Sequence, residues 1–300
     1  MRILLPVFLF FISASHAQPL TVATYQYATN NRIANIQPLA DQLGVVLKRA
    51  VQVKSYASVH AFIEGIRNNE ADIVLINTFG YLLLEAGNQK HEMKAAAVLS
   101  VKQGASDNYK TAFIAPVNYP ADNLQQAAGI APSTRLLLVS PGSTSGNLVP
   151  RLALSGAGIK EPEQKFQSVT YAGNHRNAID SITQTTQSVI AAIGSTEYFS
   201  GLKDPARAGL FKLLWLSPEI PLGPVLVHNR LSVTEQEKIQ SLLLSLHTEH
   251  PQALESVKKG WSEAAQAEKY IPFTSNYYQA FVSQMGDPQT LEKILKQFAN

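Results

Sequence analysis

The run TRLLLVSPGSTSGNLVPRLAL, residues 134–154, moves from a continuous apolar stretch through a Pro-Gly turn to three adjacent hydroxyl residues and then to helix-type periodicity. A strand ending at Ser140, a turn at Pro141-Gly142 and a helix opening at residues 143–146 make a βα unit. Its strand lacks polar alternation, as expected where helices cover both faces of a sheet. At such a helix start the backbone N–H groups have no intrahelical partners and the helix end carries partial positive charge. Ser143, Thr144 and Ser145 add hydroxyls and are small enough to let a tetrahedral anion approach the main chain, so the segment predicts an oxyanion cradle built from neutral donors. An N-cap with neighbouring turn residues is the other reading of the same spacing. Pro150 has no N–H to donate, which predicts an irregular first turn.

Working outward, residues 20–25, 71–77, 95–101, 111–117, 134–140, 167–173, 188–194, 210–217 and 224–229 read as strands. Helical patterns lie between them. Residues 58–69 set Val59, Phe62, Ile63 and Ile66 on one face behind a Ser58 cap. Thr234 and Glu237 have capping-box spacing ahead of Ile239, Leu242, Leu243 and Leu246. Such alternation predicts parallel α/β layers, while residues 234–300 read as helices only. Two α/β lobes follow, joined by crossing strands at residues 111–118 and 223–229, with a ligand cleft between them. The expected division is residues 1–17 as a signal peptide, 18–115 with 226–300 as the first lobe, and 116–225 as the second, which holds the anion-binding helix starts.

The 300 residues are 45% hydrophobic and 16% charged, a globular composition. A net charge of +3 with no basic run longer than two residues gives nucleic acid little purchase. The opening MRILLPVFLFFISASHA pairs one basic residue with an apolar stretch well short of the ~20 residues a spanning helix needs, and ends on small residues of signal-peptidase type. A mature start at Gln18 is expected. Cysteine is absent, so neither disulfides nor a lipid-modified cysteine is available. An exported, unanchored, cysteine-free chain fits the bacterial periplasm.

A second small-residue turn opens a helix in VTYAGNHRNAIDSI, residues 169–182. His175 falls in its first turn, where the ring can donate to an anion whose charge favours the protonated form. A capping or surface histidine is the plainer reading. A hydrolase needs more: Gly142 and Gly146 do flank a G-x-S-x-G spacing, but with Thr144 at its centre. No P-loop lysine follows, and the seven histidines are dispersed without metal-ligand spacing. No catalytic residue, metal or cofactor is therefore expected.

In order and spacing, ADIVLINTFGYLL, NYKTAFIAP, PGSTSGNLVPRLAL, VTYAGNHRNAI and LLWLSPEIPLGPVLV resemble the periplasmic phosphonate-binding proteins of ABC importers over nearly the whole chain after residue 17. The resemblance implies a two-lobed type II periplasmic binding fold with a hinge of crossing strands. It also implies that Ser143, Thr144 and Ser145 hold phosphonate oxygens, that His175 is the family histidine, and that Tyr109 and, after a shift of three residues, Tyr56 are cleft tyrosines. Direct counting puts Val59 at that last position. Asn77 and Thr78 fall where the other lobe offers donors. Glu197 corresponds to one of two acids that surround an amine in aminoalkylphosphonate binders. The second acid is replaced by Gly223 in IPLGP, which weakens the case for an amine ligand.

The expected function is capture of a phosphonate, phosphite or related phosphorus oxyanion by a monomer that delivers it to an inner-membrane permease. A sensor subunit of the same fold reporting to a membrane kinase, and an exported Ser/His hydrolase, are the alternatives.

Overall fold

The computed structural model describes residues 18–299 apart from 103, 106, 107 and 186, so the expected signal segment lies outside the described residues. In chain order the strands are β1 (Leu20–Tyr25), β2 (Val51–Tyr56), β3 (Ile73–Leu75), β4 (Met93–Val101), β5 (Thr111–Pro116), β6 (Arg135–Leu138), β7 (Ser168–Tyr171), β8 (Val189–Gly194), β9 (Phe211–Leu216), β10 (Pro224–His228) and β11 (Ala267–Pro272). They form one sheet in the order β11-β4-β10-β3-β1-β2 and another in the order β7-β6-β8-β5-β9. Both are mixed, which corrects the expectation of parallel layers. β1 runs parallel to β2 and β3, and β6 to β7 and β8, but β10, β11 and β5 pair antiparallel to their neighbours.

Apolar clusters fill both faces of each sheet. The helices Arg32–Leu47, Val233–Glu249 and Pro251–Gly260 bury Ile36, Leu39, Leu43, Leu242 and Leu254 on one face of the first sheet. Val59–Arg67, Thr78–Ala86 and Pro288–Phe298 cover its other face with Phe62, Phe79, Leu83 and Leu295. Each such full burial contributes about 1.5–3 kcal/mol. The periodicity at 58–69 materialises as the helix Val59–Arg67, with Ser58 Oγ accepting from Ala61 N at 3.1 Å.

Three expectations about the chain path change. β5 lies wholly in the second sheet, so the outward crossing is complete before Thr111, ahead of the expected boundary at 115. The return runs through residues 217–223, because β10 belongs to the first sheet. The two crossings meet where Ile220 N donates to Tyr109 O at 2.8 Å, and Thr111 N, at the start of β5, donates to Ser217 Oγ at 2.9 Å. The terminal part is not all helix, since β11 adds an edge strand to the first sheet, its mixed AEKYIP sequence carrying little apolar signal. The capping box of Val233–Glu249 is made by Ser232 and Glu235, two residues before the pair with the expected spacing. No helix among the described residues is long and apolar enough to cross a membrane.

Candidate ligand-binding cleft

Between the sheets lies a cleft of about 520 Å³, walled by the ends of β1 and β3, the hinge residue Tyr109, the turn at residues 140–144 and the start of the helix His175–Thr183. The turn after β6 is shaped by two close approaches. A Cβ on Gly142 would sit 2.6 Å from the Val59 Cβ of the facing lobe, and one on Gly146 would sit 2.4 Å from the Val139 Cβ. The first helical turn, Thr144–Leu148, is a π-turn in which Leu148 N donates to Ser143 O at 3.1 Å, and the regular helix Val149–Gly156 follows. Pro150 accounts for this. The carbonyls that its missing N–H would reach take other donors, Ser145 O from Thr111 Oγ1 and Gly146 O from Val139 N, both at 2.9 Å.

Three of the helix-start amides do not point bare into the cleft, since hydroxyls cap them. Ser143 Oγ accepts from Gly146 N at 3.0 Å, Tyr109 Oη from Ser145 N at 3.2 Å and Tyr27 Oη from His175 N at 3.3 Å. Thr144 Oγ1 accepts from Phe79 N of the other lobe at 3.1 Å. Each of these oxygens thus uses a lone pair on a backbone N–H and keeps its own proton to donate. Amide polarity is relayed through the hydroxyls, each bond polarising the next. Ser145 Oγ is buried beside the Tyr109 hydroxyl and makes no well-formed hydrogen bond. A Cβ on Gly194 would lie 3.3 Å from Ser145 Oγ and 3.6 Å from His175 Nε2, so both atoms flank Gly194.

His175 opens its helix behind the Asn174 cap. Its Nδ1 accepts from Gly194 N at 2.9 Å, and burial lowers its pKa to about 4. The ring is therefore neutral, with its proton on Nε2. This corrects the expectation of a protonated histidine, because desolvation disfavours the charged form. In this tautomer His175 is not set as the base of a Ser/His pair, because its Nε2 holds a proton and its Nδ1 accepts where a catalytic triad needs it to donate to an acid. Tyr27 and Tyr109 are held above the usual phenol range chiefly by burial, so both keep their protons.

Of the residues expected at the site, Ser143, Thr144, His175, Tyr109 and Asn77 share the cleft wall, and Ser145 lies directly behind it. Three stand elsewhere. Tyr56 packs over Gly65 and donates to Glu70 Oε2 at 2.9 Å on the outer side of β2, and Val59 walls the cleft instead, as direct counting gave. Thr78 donates to Pro221 O at 2.5 Å, tying the helix Thr78–Ala86 to the return crossing. Glu197 lies 3.4 Å from Arg176 on the neighbouring helix and does not reach the cleft wall. Gly223 leaves no room for the acid of the amine binders, since a Cβ there would come within 1.8 Å of Ile76 O.

The sequence reading missed Tyr27, Arg32 and Glu263, all on the cleft wall. Tyr27 and Arg32 follow the carboxyl end of β1, where α/β sheets commonly present ligand groups, and that position was the available signal. Glu263 comes from residues 262–264 after the helix Pro251–Gly260, and no local pattern marks it.

A family model described as "ABC transporter, phosphonate, periplasmic substrate-binding protein" matches residues 22–270. The chain is 26% identical over 229 residues to a phosphonates-binding periplasmic protein of Escherichia coli (strain K12), covering 76% of this chain and 64% of that protein. It is 23% identical over 217 residues to a probable ABC transporter phosphite binding protein of Prochlorococcus marinus (strain MIT 9301), covering 69% of each. In fold it is similar to XAC2383 from Xanthomonas citri, solved with ATP bound, with a TM-score of 0.73, 16% identity and coverage of 94% of this chain and 98% of that one. With the matched region running from β1 through β11, the chain belongs to the periplasmic substrate-binding proteins of phosphonate ABC transporters.

Proposed function

We propose that this protein captures a phosphonate, phosphite or related phosphorus oxyanion in the periplasm and delivers it to an inner-membrane permease, acting as a monomer and without catalysis. The observation that carries this reading is the cluster of proton donors at one end of the cleft. Ser143, Thr144, Tyr27 and Tyr109 each accept from a backbone N–H, and His175 Nε2 carries the ring proton. Each thus has a proton to turn to a guest. A tetrahedral oxyanion, rich in lone pairs, can take several of these protons at once, which a neutral guest with few acceptors cannot. The names of the two curated relatives, which specify phosphonates and phosphite, agree with it.

In this reading Ser143, Thr144, Ser145 and His175 seat the anion on the second lobe. Tyr109 holds it from the hinge, while Asn77 and Tyr27 close over it from the first lobe. Ligand contacts to both lobes favour the shut arrangement over the open one.

The test is a thermal-shift panel with phosphite, methylphosphonate, phosphate and sulfate. A ligand at 100 times its Kd stabilises the folded state by about 2.7 kcal/mol. A shift with at least one phosphorus compound and none with sulfate is expected; silence from all phosphorus compounds overturns the reading.

A further inference from the structure

The cleft is larger than a phosphorus oxyanion requires. Methylphosphonate takes up only about three to four water volumes of ~30 Å³ each, against a cleft of about 520 Å³. The remaining wall holds two opposite charges. Arg32, 2% exposed, lies between the rings of Tyr25 and Trp261 at 4.3 and 4.5 Å, with Tyr27 at 5.5 Å. Its Nε donates to Gly260 O at 2.8 Å and Nη1 to Tyr25 O at 3.2 Å, which does not exhaust the guanidinium's donors. No carboxylate pairs with it among the described residues. Glu263, half-buried on the same wall, makes no ion pair and no side-chain hydrogen bond to another residue among those described. Burial raises its pKa and the charge of Arg32 draws it part of the way back.

Charges withdrawn from water without a direct partner are costly, so a guest group that completes both is favoured. The two charges offset each other, so the pair exerts little net pull on an ammonium group, and Gly223 denies the site a second acid. A neutral hydroxyl accepts from Arg32 and donates to Glu263 at once. Tyr27, on the same wall, offers apolar surface to the carbon atoms that bear it.

We propose that Arg32 and Glu263 form a second pole of the ligand site, which takes the hydroxylated organic substituent of a phosphonate or phosphate ester. This rests on the reading of the cleft as a phosphorus-oxyanion site, and the experiment separates the two.

Calorimetric titration compares three ligands with one carbon skeleton, propylphosphonate, 2,3-dihydroxypropylphosphonate and 3-aminopropylphosphonate, with methylphosphonate and phosphite as probes of the cradle alone. The dihydroxy ligand is expected to bind at least tenfold tighter than the propyl ligand, and the amino ligand no tighter than the propyl one. Glu263→Met, checked for folding by its melting curve, lowers the ratio of dihydroxypropyl to methyl affinity at least threefold. Binding of methylphosphonate with the amino ligand tightest, with the three-carbon ligands level or rejected, or with the ratio unmoved by Glu263→Met overturns the second pole alone. Silence from methylphosphonate, phosphite and all three longer ligands overturns the cradle reading and the pole with it.

Discussion

The side-chain amide of Asn77 donates to the carbonyl oxygen of Gly142 at 2.9 Å, joining the end of β3 to the turn of the opposite lobe. The same side chain caps the helix Thr78–Ala86, its Oδ1 accepting from Gly80 N at 2.9 Å. One residue thus starts a helix in the first lobe and reaches the anion turn of the second. Asn77→Asp separates the two roles, because aspartate caps as well as asparagine but has no N–H and brings a negative charge to the cleft. The helix cap is expected to survive, while the lost bond to Gly142 O is expected to cost the apo protein about 1–3 kcal/mol. Affinity for methylphosphonate or phosphite is expected to fall at least tenfold, read by calorimetric titration. Unchanged affinity would remove Asn77 from the site.

The tyrosines divide by where their hydroxyls go. Tyr27 Oη takes the His175 amide across the cleft, whereas Tyr56 Oη is bound to Glu70 outside it. Removing one hydrogen bond to a charged ligand costs about 1.5–3 kcal/mol. Tyr27→Phe should therefore weaken anion binding by roughly tenfold or more, and Tyr56→Phe should leave it where it was. A loss in the Tyr56 variant matching that of the Tyr27 variant would mean that the cleft wall has been drawn wrongly.

His175 fixes two pH dependences. Its pKa drops from 6.5 in a free side chain to about 4 through burial. Between those values the unfolded chain binds a proton that the folded one refuses, so the stabilisation is full above pH 6.5 and is lost as pH falls toward 4. The most it can amount to is about 3 kcal/mol. His228, lowered mainly by burial, adds in the same direction. Urea midpoints at pH 4.5 and 7 should fall further apart in the parent than in His175→Gln. In binding, a neutral Nε2–H donor makes the ratio of variant to parent Kd constant from pH 5.5 to 8, a comparison that cancels the ligand's own ionisation. A ratio that climbs as pH falls would show that the imidazolium form does the binding.

Much of this was legible in local sequence. The apolar runs located nine of the eleven strands, and the hydroxyl run with its Pro-Gly turn located the anion-facing helix start, since both signals are carried by neighbours in the chain. β2 and β11 escaped because VQVKSY and AEKYIP are only partly buried and owe their strand form to pairing with β1 and β4. Hydroxyl capping of the helix-start amides was hidden for another reason: Tyr27 meets His175, and Phe79 meets Thr144, only after the lobes come together. The tautomer of His175 depends on Gly194, a residue on another strand. Motif resemblance misplaced Tyr56 because successive residues of a strand face opposite sides, so a small shift in alignment changes which face a side chain occupies.

The same distinction governs Gly223. Read as a motif position, it is a missing acid that a single substitution restores. In the fold the chain at this point presses on the end of β3, where a Cβ would lie 1.8 Å from Ile76 O and 2.6 Å from the backbone of Asn77. Backbone on that side cannot give way as a flexible side chain would, and displacing it moves Asn77, which holds Gly142 of the other lobe. Gly223→Asp is thus expected to destabilise the protein by about 1–3 kcal/mol or more through overpacking. It should also weaken binding of methylphosphonate, a ligand without an amine, and confer no preference for 2-aminoethylphosphonate. Gly223→Ala separates steric from charge effects, since it carries the Cβ alone and should reproduce most of the loss in both melting temperature and affinity. A stable Gly223→Asp variant that binds 2-aminoethylphosphonate more tightly than the parent does would mean that the return crossing is looser than these contacts imply, and that only the carboxylate was missing.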